Sequence, residues 1–155
     1  MMPATACMEL DGIGPVTVST SDVGVCGLSF ARGRSQGSSP LLEQIRAQLT
    51  DYAAGRRISF DLPLDLSNCT SFTRMVLEAC CHISWGCVLT YGQVAEMMGR
   101  PTAARAVGGA LGRNPVAIIV PCHRVVAGTG VGGFTGGIQH KHDLWRLERI
   151  RWPST

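Results

Sequence analysis

Lysine is nearly absent from this chain. Of 14 cationic residues, 13 are arginine and only Lys141 is lysine. Arginine offers a planar fork to phosphates and can stack on a base, although a bias in genome composition also replaces lysine with arginine. No run of about 18 apolar residues occurs, so no membrane-spanning helix is expected. The N-terminus lacks a basic stretch followed by an apolar run, and no secretory signal is expected. No C-x-x-C spacing is present and no histidine precedes His82, which argues against a zinc cluster. The seven cysteines are odd in number, and Cys80-Cys81 fall side by side within a helical pattern. That is a poor start for a disulfide framework, and the simplest compartment is a reducing cytoplasm. No internal repeat is visible.

What remains is a chain of 155 residues, 45% apolar and 16% charged, the balance of a folded globule with room for one ordinary domain or two small ones. Its charge is uneven. Residues 1–71 carry five Arg against seven acidic residues, net −2, and residues 72–155 carry nine cations against four acids, net +5. The basic C-terminal half is the natural place for a polyanion to bind.

The expected fold class is mixed α/β (α+β). Residues 14–31 alternate loosely (Val16, Val18, Val23, Val25, Leu28, Phe30) and read as an antiparallel hairpin turning near Ser21-Asp22. Ser39 as N-cap, Pro40 at the first turn and Gly55 past the end punctuate a helix whose apolar stripe is Leu41, Ile45, Leu49 and Tyr52. Residues 56–62 are a candidate third strand. Together these predict a small three-stranded antiparallel sheet with one helix over residues 1–65. After a linker at 63–68, a mostly helical domain is expected over 70–155. In it Ser71 caps a helix carrying Phe72, Val76, Cys80 and Ile83, ended by Trp85-Gly86. Two short helices, 91–98 and 103–111, flank a turn at Gly99–Thr102 and form a helix-turn-helix. The apolar run 115–121 reads as a buried extended segment that delivers Cys122 to a fixed place. Residues 127–137 hold six glycines and form a loop, and a last helix runs from about His140 to Ile150, stopped before Pro153.

The chemistry is concentrated in Pro121-Cys122-His123-Arg124-Val125. A thiolate is a good nucleophile, but an ordinary cysteine is mostly protonated at neutral pH. His123 is a candidate base, acting directly or through a water, and Arg124 adds positive charge. Neighbours in sequence often point apart, and a buried structural thiol is the commoner reason for a Cys-His pair.

The wider pattern narrows the choice. Residues 114–125, Asn-Pro-Val-Ala-Ile-Ile-Val-Pro-Cys-His-Arg-Val, resemble the signature of the O6-alkylguanine-DNA alkyltransferase (methylated-DNA–protein-cysteine methyltransferase) family. So do Thr90-Tyr91-Gly92-Gln93-Val94-Ala95, residues 103–111 (Ala-Ala-Arg-Ala-Val-Gly-Gly-Ala-Leu), and Gly132-Gly133-Phe134-Thr135-Gly136-Gly137. Order and spacing hold across about 80 residues, from Phe72 to Glu148. The resemblance implies a single-turnover, direct DNA repair enzyme that flips O6-alkylguanine out of double-stranded DNA and keeps the alkyl group on Cys122. It implies that Glu148 orients His123, that His123 removes the thiol proton through a water, and that Tyr91 donates a proton to the base. It implies that Arg105 fills the place of the flipped base, with Ala104, Gly108, Gly109, Thr90 and Arg124 also facing DNA in the minor groove. Asn114 is implied as a turn-fixing residue, Val125 and Thr135 as backbone contacts to guanine, and Phe134 as part of the rim. Phe134 and Thr135 stand where Tyr and Ser are frequent. The family's N-terminal domain is ribonuclease-H-like and in some members holds zinc. Cys7, Cys26 and Cys69 would be the ligands here, but without a nearby histidine no metal or other cofactor is expected. A cytoplasmic monomer is implied.

Three other functions fit parts of the pattern. A non-catalytic alkylguanine-binding helix-turn-helix protein would lack the acceptor Cys. A redox-sensing regulator would need polar residues on 103–111 to read a major groove. A cysteine hydrolase would release product repeatedly.

Overall fold

The computed structural model describes residues 3–152. The chain divides into two compact units, residues 1–68 and 69–155.

In the first unit, β1 (Ala4–Leu10), β2 (Gly14–Thr20) and β3 (Val25–Ser29) form an antiparallel sheet in the order β1-β2-β3. Ala6 pairs with Val18 and Val18 with Leu28. The expected hairpin is β2–β3. Its turn is held by Ser21 Oγ, which accepts from the Val23 and Gly24 amides. Helix α1 (Pro40–Ala53) starts as its sequence dictates: Ser39 Oγ accepts from the Leu42 amide at 3.1 Å and Pro40 opens the helix. Gly55 ends it at φ 77. Leu41, Leu42, Ile45, Leu49 and Tyr52 are buried, and α1 packs on β1.

The third strand is not residues 56–62. That segment is irregular, and its backbone answers a side chain instead of a strand: the Gln48 amide donates to the Asp61 carbonyl (3.1 Å) and accepts from the Asp61 N–H (3.0 Å). The remaining strand is β1, whose inward residues Ala4, Ala6, Met8 and Leu10 are not branched at Cβ and give a faint strand signal.

The second unit begins with α2 (Ser71–Cys80), capped by Thr70 one residue before the expected Ser71; Thr70 Oγ1 accepts from the Thr73 amide. The short β4 (Leu89–Thr90) pairs in parallel with β5 (Val125–Val126). Helix α3 (Tyr91–Met97) carries a reciprocal capping box between Thr90 and Gln93. After a turn with Gly99 at φ 72, α4 (Ala104–Leu111) packs on both α3 and α2, giving the helix-turn-helix. Helix α5 (Ile138–Glu148) starts two residues before the expected His140 and ends on Arg149 in the left-handed region. The expected stop at Pro153 lies outside the described residues. Trp145, Val126 and Ile150 form a satellite core with Val88, Val131 and Trp152 packed against it.

The run 115–121 is buried but not extended. It folds back on itself, the Val120 amide reaching the Val116 carbonyl at 3.0 Å, with Ile118 at φ 71. A β-branched residue in that region costs on the order of 1–2 kcal/mol, so the fold must hold it there. Asn114 does so: its side-chain oxygen accepts from Val116 N (2.9 Å) and its Nδ2 donates to Val120 O (3.2 Å). Among the described residues no helix is long and apolar enough to cross a membrane, and no three His, Cys, Asp or Glu side chains gather as metal ligands.

Candidate active site and DNA-facing helix

Cys122 opens a single 3-10 turn, Cys122–Arg124, directly after the folded-back segment. Its side chain is buried, 4% exposed, yet it lines a cavity of about 240 Å³. Tyr91, Phe134, Thr135, Gly108 and Leu111 form much of the remaining wall. This is below the roughly 300–1,000 Å³ of drug-sized sites and suits one flat ring system. Burial pushes the thiol up to about 11, opposed by the Asn114 side chain and the Lys141 charge. At rest the nucleophile is therefore a thiol, and a base must take its proton as it reacts.

The candidate base follows it directly in sequence. His123 is fully buried, and its Nε2 lies 2.7 Å from Glu148 Oε2. A carboxylate there fixes the tautomer with the proton on Nε2, leaving Nδ1 as the acceptor. Among the described residues Nδ1 has no hydrogen-bond partner. Burial holds the His123 pKa below its ordinary value, against the pull of Glu148, so the ring is neutral and able to accept a proton. Glu148 is also fully buried. Burial alone would raise its pKa, but hydrogen bonds and charge from His123 and Arg124 outweigh this and bring it to about 2.

Arg124 corrects the sequence reading. It is 6% exposed, its Nε and Nη2 meet both oxygens of Glu148 (2.7 and 3.0 Å), and its Nη1 donates to the Ile83 carbonyl. A side chain buried and committed in this way does not reach a DNA phosphate; it anchors the carboxylate.

Of the remaining expected residues, Tyr91, Phe134, Thr135 and Gly108 line the cavity, and Val125, Asn114 and Thr90 are not among its lining residues. Tyr91, first residue of α3, accepts from the Gly133 amide at 3.3 Å. Thr135 donates its hydroxyl to the Gly112 carbonyl (3.2 Å) at the end of α4. Val125 is buried in β5, and Asn114 works on the loop as described above. Thr90 spends its hydroxyl as the α3 cap and stays partly exposed.

On α4, Val107, Ala110 and Leu111 face inward while Arg105 and Gly109 are exposed and Ala104 partly so. The two adjacent glycines are not required by internal packing. A Cβ on Gly108 would meet only the Tyr91 ring at 3.9 Å, and one on Gly109 only Arg113 at 3.6 Å, both ordinary contacts. Gly132 is the opposite case: its φ is 77, and a Cβ would lie 2.6 Å from Tyr91 Oη.

Sequence reasoning missed Lys141. Helix α5 buries Lys141, Leu144, Trp145 and Glu148, the i, i+3, i+4, i+7 stripe of a core-facing helix. Two charged residues thus sit on the apolar face, one answering His123 and Arg124, the other three backbone carbonyls. Burial lowers the Lys141 pKa to about 8, opposed by Cys122. The available signal was the residue type itself: a chain that uses Arg almost everywhere keeps Lys here.

Chemically, this unit is built to take an electrophile onto one sheltered thiol, within a helix-turn-helix frame. A family model for 6-O-methylguanine DNA methyltransferase, DNA binding domain, matches residues 71–150. Over 108 residues the chain is 47% identical to the methylated-DNA–protein-cysteine methyltransferase of Mycobacterium tuberculosis, a stretch covering 69% of this chain and 65% of that protein. It is 37% identical over 145 residues to the protein of that name in Saccharolobus islandicus, covering 92% of this chain and 93% of the relative. The crystal structure of Mycobacterium tuberculosis OGT in complex with DNA superposes with a TM-score of 0.82 at 36% identity, covering 94% of this chain and 92% of that one. The O6-methylguanine-DNA methyltransferase of Pyrococcus kodakaraensis gives 0.70 at 27% identity, covering 96% and 100%. The chain belongs to the 6-O-methylguanine DNA methyltransferase family.

Proposed function

We propose that this chain repairs DNA directly, moving the alkyl group of O6-alkylguanine onto Cys122 and keeping it there. The observation that carries the proposal is the thiol of Cys122 at the wall of a base-sized cavity, followed in sequence by His123 with its buried Glu148 partner. In the reaction the Cys122 S–H proton passes to His123, directly or through a water. Sγ attacks the alkyl carbon, the C–O6 bond breaks as the S–C bond forms, and the departing guanine is neutralised by a proton from Tyr91. Arg124 keeps Glu148 ionised and in place. The Thr135 amide and Val125 carbonyl are the backbone groups offered to guanine, and Phe134 forms the rim.

The reactive atom lies inside the base stack, so the nucleotide must be extruded. Arg105, exposed on α4, takes the vacated place, and Ala104, Gly108 and Gly109 let the helix close on a minor groove. Supporting this is the lack of any internal reason for the two glycines. All these residues come from residues 69–155, which supports a reading in which one copy of the chain suffices and acts as a monomer. All seven cysteines are free, as a reducing cytoplasm would keep them.

The non-catalytic alternative fits poorly with a thiol lining the cavity and with relatives named cysteine methyltransferases. A hydrolase is separated by stoichiometry, because a thioether is not hydrolysed. Labelled methyl from duplex O6-methylguanine should load to one per protein and stop, and Cys122→Ala should bind the lesion but take no label. Continued release of product, or label on the Cys122→Ala protein, would overturn the proposal.

A further inference from the structure

Helix α5 holds His123 at two points. The ring Nε2 stands 2.7 Å from Glu148 Oε2, and the peptide carbonyl of the same residue accepts from the indole Nε1–H of Trp145, also at 2.7 Å. Trp145 and Glu148 are three residues apart in α5, so they share one face of the helix. Both side chains are buried, as is His123 itself. The backbone of the turn closes on other carbonyls: the Arg124 amide returns to Pro121 and the Val125 amide to Cys122. An indole has one N–H and no acceptor, so the bond to His123 uses it completely.

Packing alone does not call for an indole at this place. Trp145 lies in the buried stripe of α5 and packs with Val126 and Ile150. Leucine or phenylalanine would also bury apolar surface there, but neither donates a hydrogen bond. A buried carbonyl left without its donor is unfavourable. Here that carbonyl belongs to the residue joined by a peptide bond to Cys122, so a rotation of the short turn moves imidazole and thiol together.

We propose that Trp145 is a positioning residue for alkyl transfer: its indole N–H fixes the peptide of the Cys122–Arg124 turn and, with Glu148, sets how His123 and Cys122 Sγ stand toward the base. The proposal rests on the alkyl-transfer reading above and adds to it a residue that is not among those lining the cavity.

The test replaces Trp145 in the full chain by β-(3-benzothienyl)alanine, in which sulfur stands in place of the N–H and the bicyclic bulk is kept. Single-turnover methyl transfer from free O6-methylguanine and from a lesion duplex, well below the melting temperature, gives a rate at saturation and a half-saturating concentration for each. The rate at saturation should fall about 100-fold on both, the loss that a misplacement of about 1 Å brings, while the half-saturating concentrations stay as in the parent. A parental rate at saturation, or a loss confined to the half-saturating concentration, would overturn the proposal. Should the substituted chain fail to fold, the parent gives a second readout. The indole N–H resonances of its three tryptophans can be assigned through Trp85→Phe and Trp152→Phe. That of Trp145 should shift when free O6-methylguanine methylates Cys122, because the new methyl crowds a turn that the indole holds. A Trp145 resonance that ignores the methylation overturns the proposal. If the parent itself takes no methyl, the functional reading fails, whatever Trp145 does.

Discussion

His123 Nε2 stands 2.7 Å from Glu148 Oε2, while His123 Nδ1 has no hydrogen-bond partner among the described residues. One nitrogen is thereby fixed as the donor and the other left as an acceptor. Because burial is the largest influence on His123 and disfavours the cation, its pKa lies below 6.5. The acid limb of transfer against pH should therefore fall below 6.5, with activity flat through neutrality. An acid limb at or above 6.5 in single-turnover rates would contradict a neutral resting base. Stability follows the same sign: below pH 6.5 the unfolded chain takes up a proton that native His123 refuses, so the fold weakens as pH falls.

Glu148 pairs with both His123 and Arg124. Glu148→Gln would strip Arg124 of its counter-charge in a buried site, where breaking a pair costs about 3–5 kcal/mol. Arg124→Met should be destabilising for the same reason and leave the salt dependence of DNA binding unchanged, because Arg124 is buried and committed to Glu148 and the Ile83 carbonyl. Denaturant titration and binding at several salt concentrations separate the two effects; a reduced salt slope for Arg124→Met would restore it to the DNA surface.

The α4 glycines and Gly132 should respond in opposite ways. Gly109→Ala meets only an ordinary contact and gains helix propensity, stabilising the protein by up to about 1 kcal/mol while weakening duplex binding. Gly132→Ala forces a left-handed φ on Ala and crowds Tyr91 Oη, so it should cost both stability and transfer. Thermal melts and duplex titrations read the pair. A less stable Gly109→Ala protein would mean that internal packing, not a partner, sets that glycine.

Asn114→Ala should leave the Val116 amide and Val120 carbonyl without its two hydrogen bonds in a buried loop, costing about 1–3 kcal/mol for each group left unpaired. With Ile118 at φ 71 no longer held, transfer should fall more than lesion binding. Equal loss of both would place Asn114 at the DNA surface instead.

Much of this site was legible as a pattern of residue types. Cys122-His123 and the glycine loop stand out in the sequence, and the capping signals of α1 hold to the residue. Physical reasons explain what stayed hidden. β1 buries alanines, which carry little strand signal, whereas 56–62 alternates like a strand but spends its backbone on Gln48. Ile118 gives no sign of a positive φ, because nothing in a β-branched residue asks for one. Arg124 reads as a DNA-facing residue because charged side chains are usually solvated. Lys141 and Glu148 occupy the buried stripe of α5 beside Leu144 and Trp145, where hydrophobic periodicity registers them only as interruptions. Glu148 was reached through resemblance and Lys141 not at all.

The central claim is a permanent bond on one sulfur. Intact mass of the protein should be followed after incubation with excess duplex carrying one O6-methylguanine, with peptide mapping of the product. The account predicts the mass of one added methyl in place of hydrogen, on Cys122, with no second addition at longer times. An unchanged mass despite binding to the lesion, or a methyl group mapped to any other residue, would contradict it.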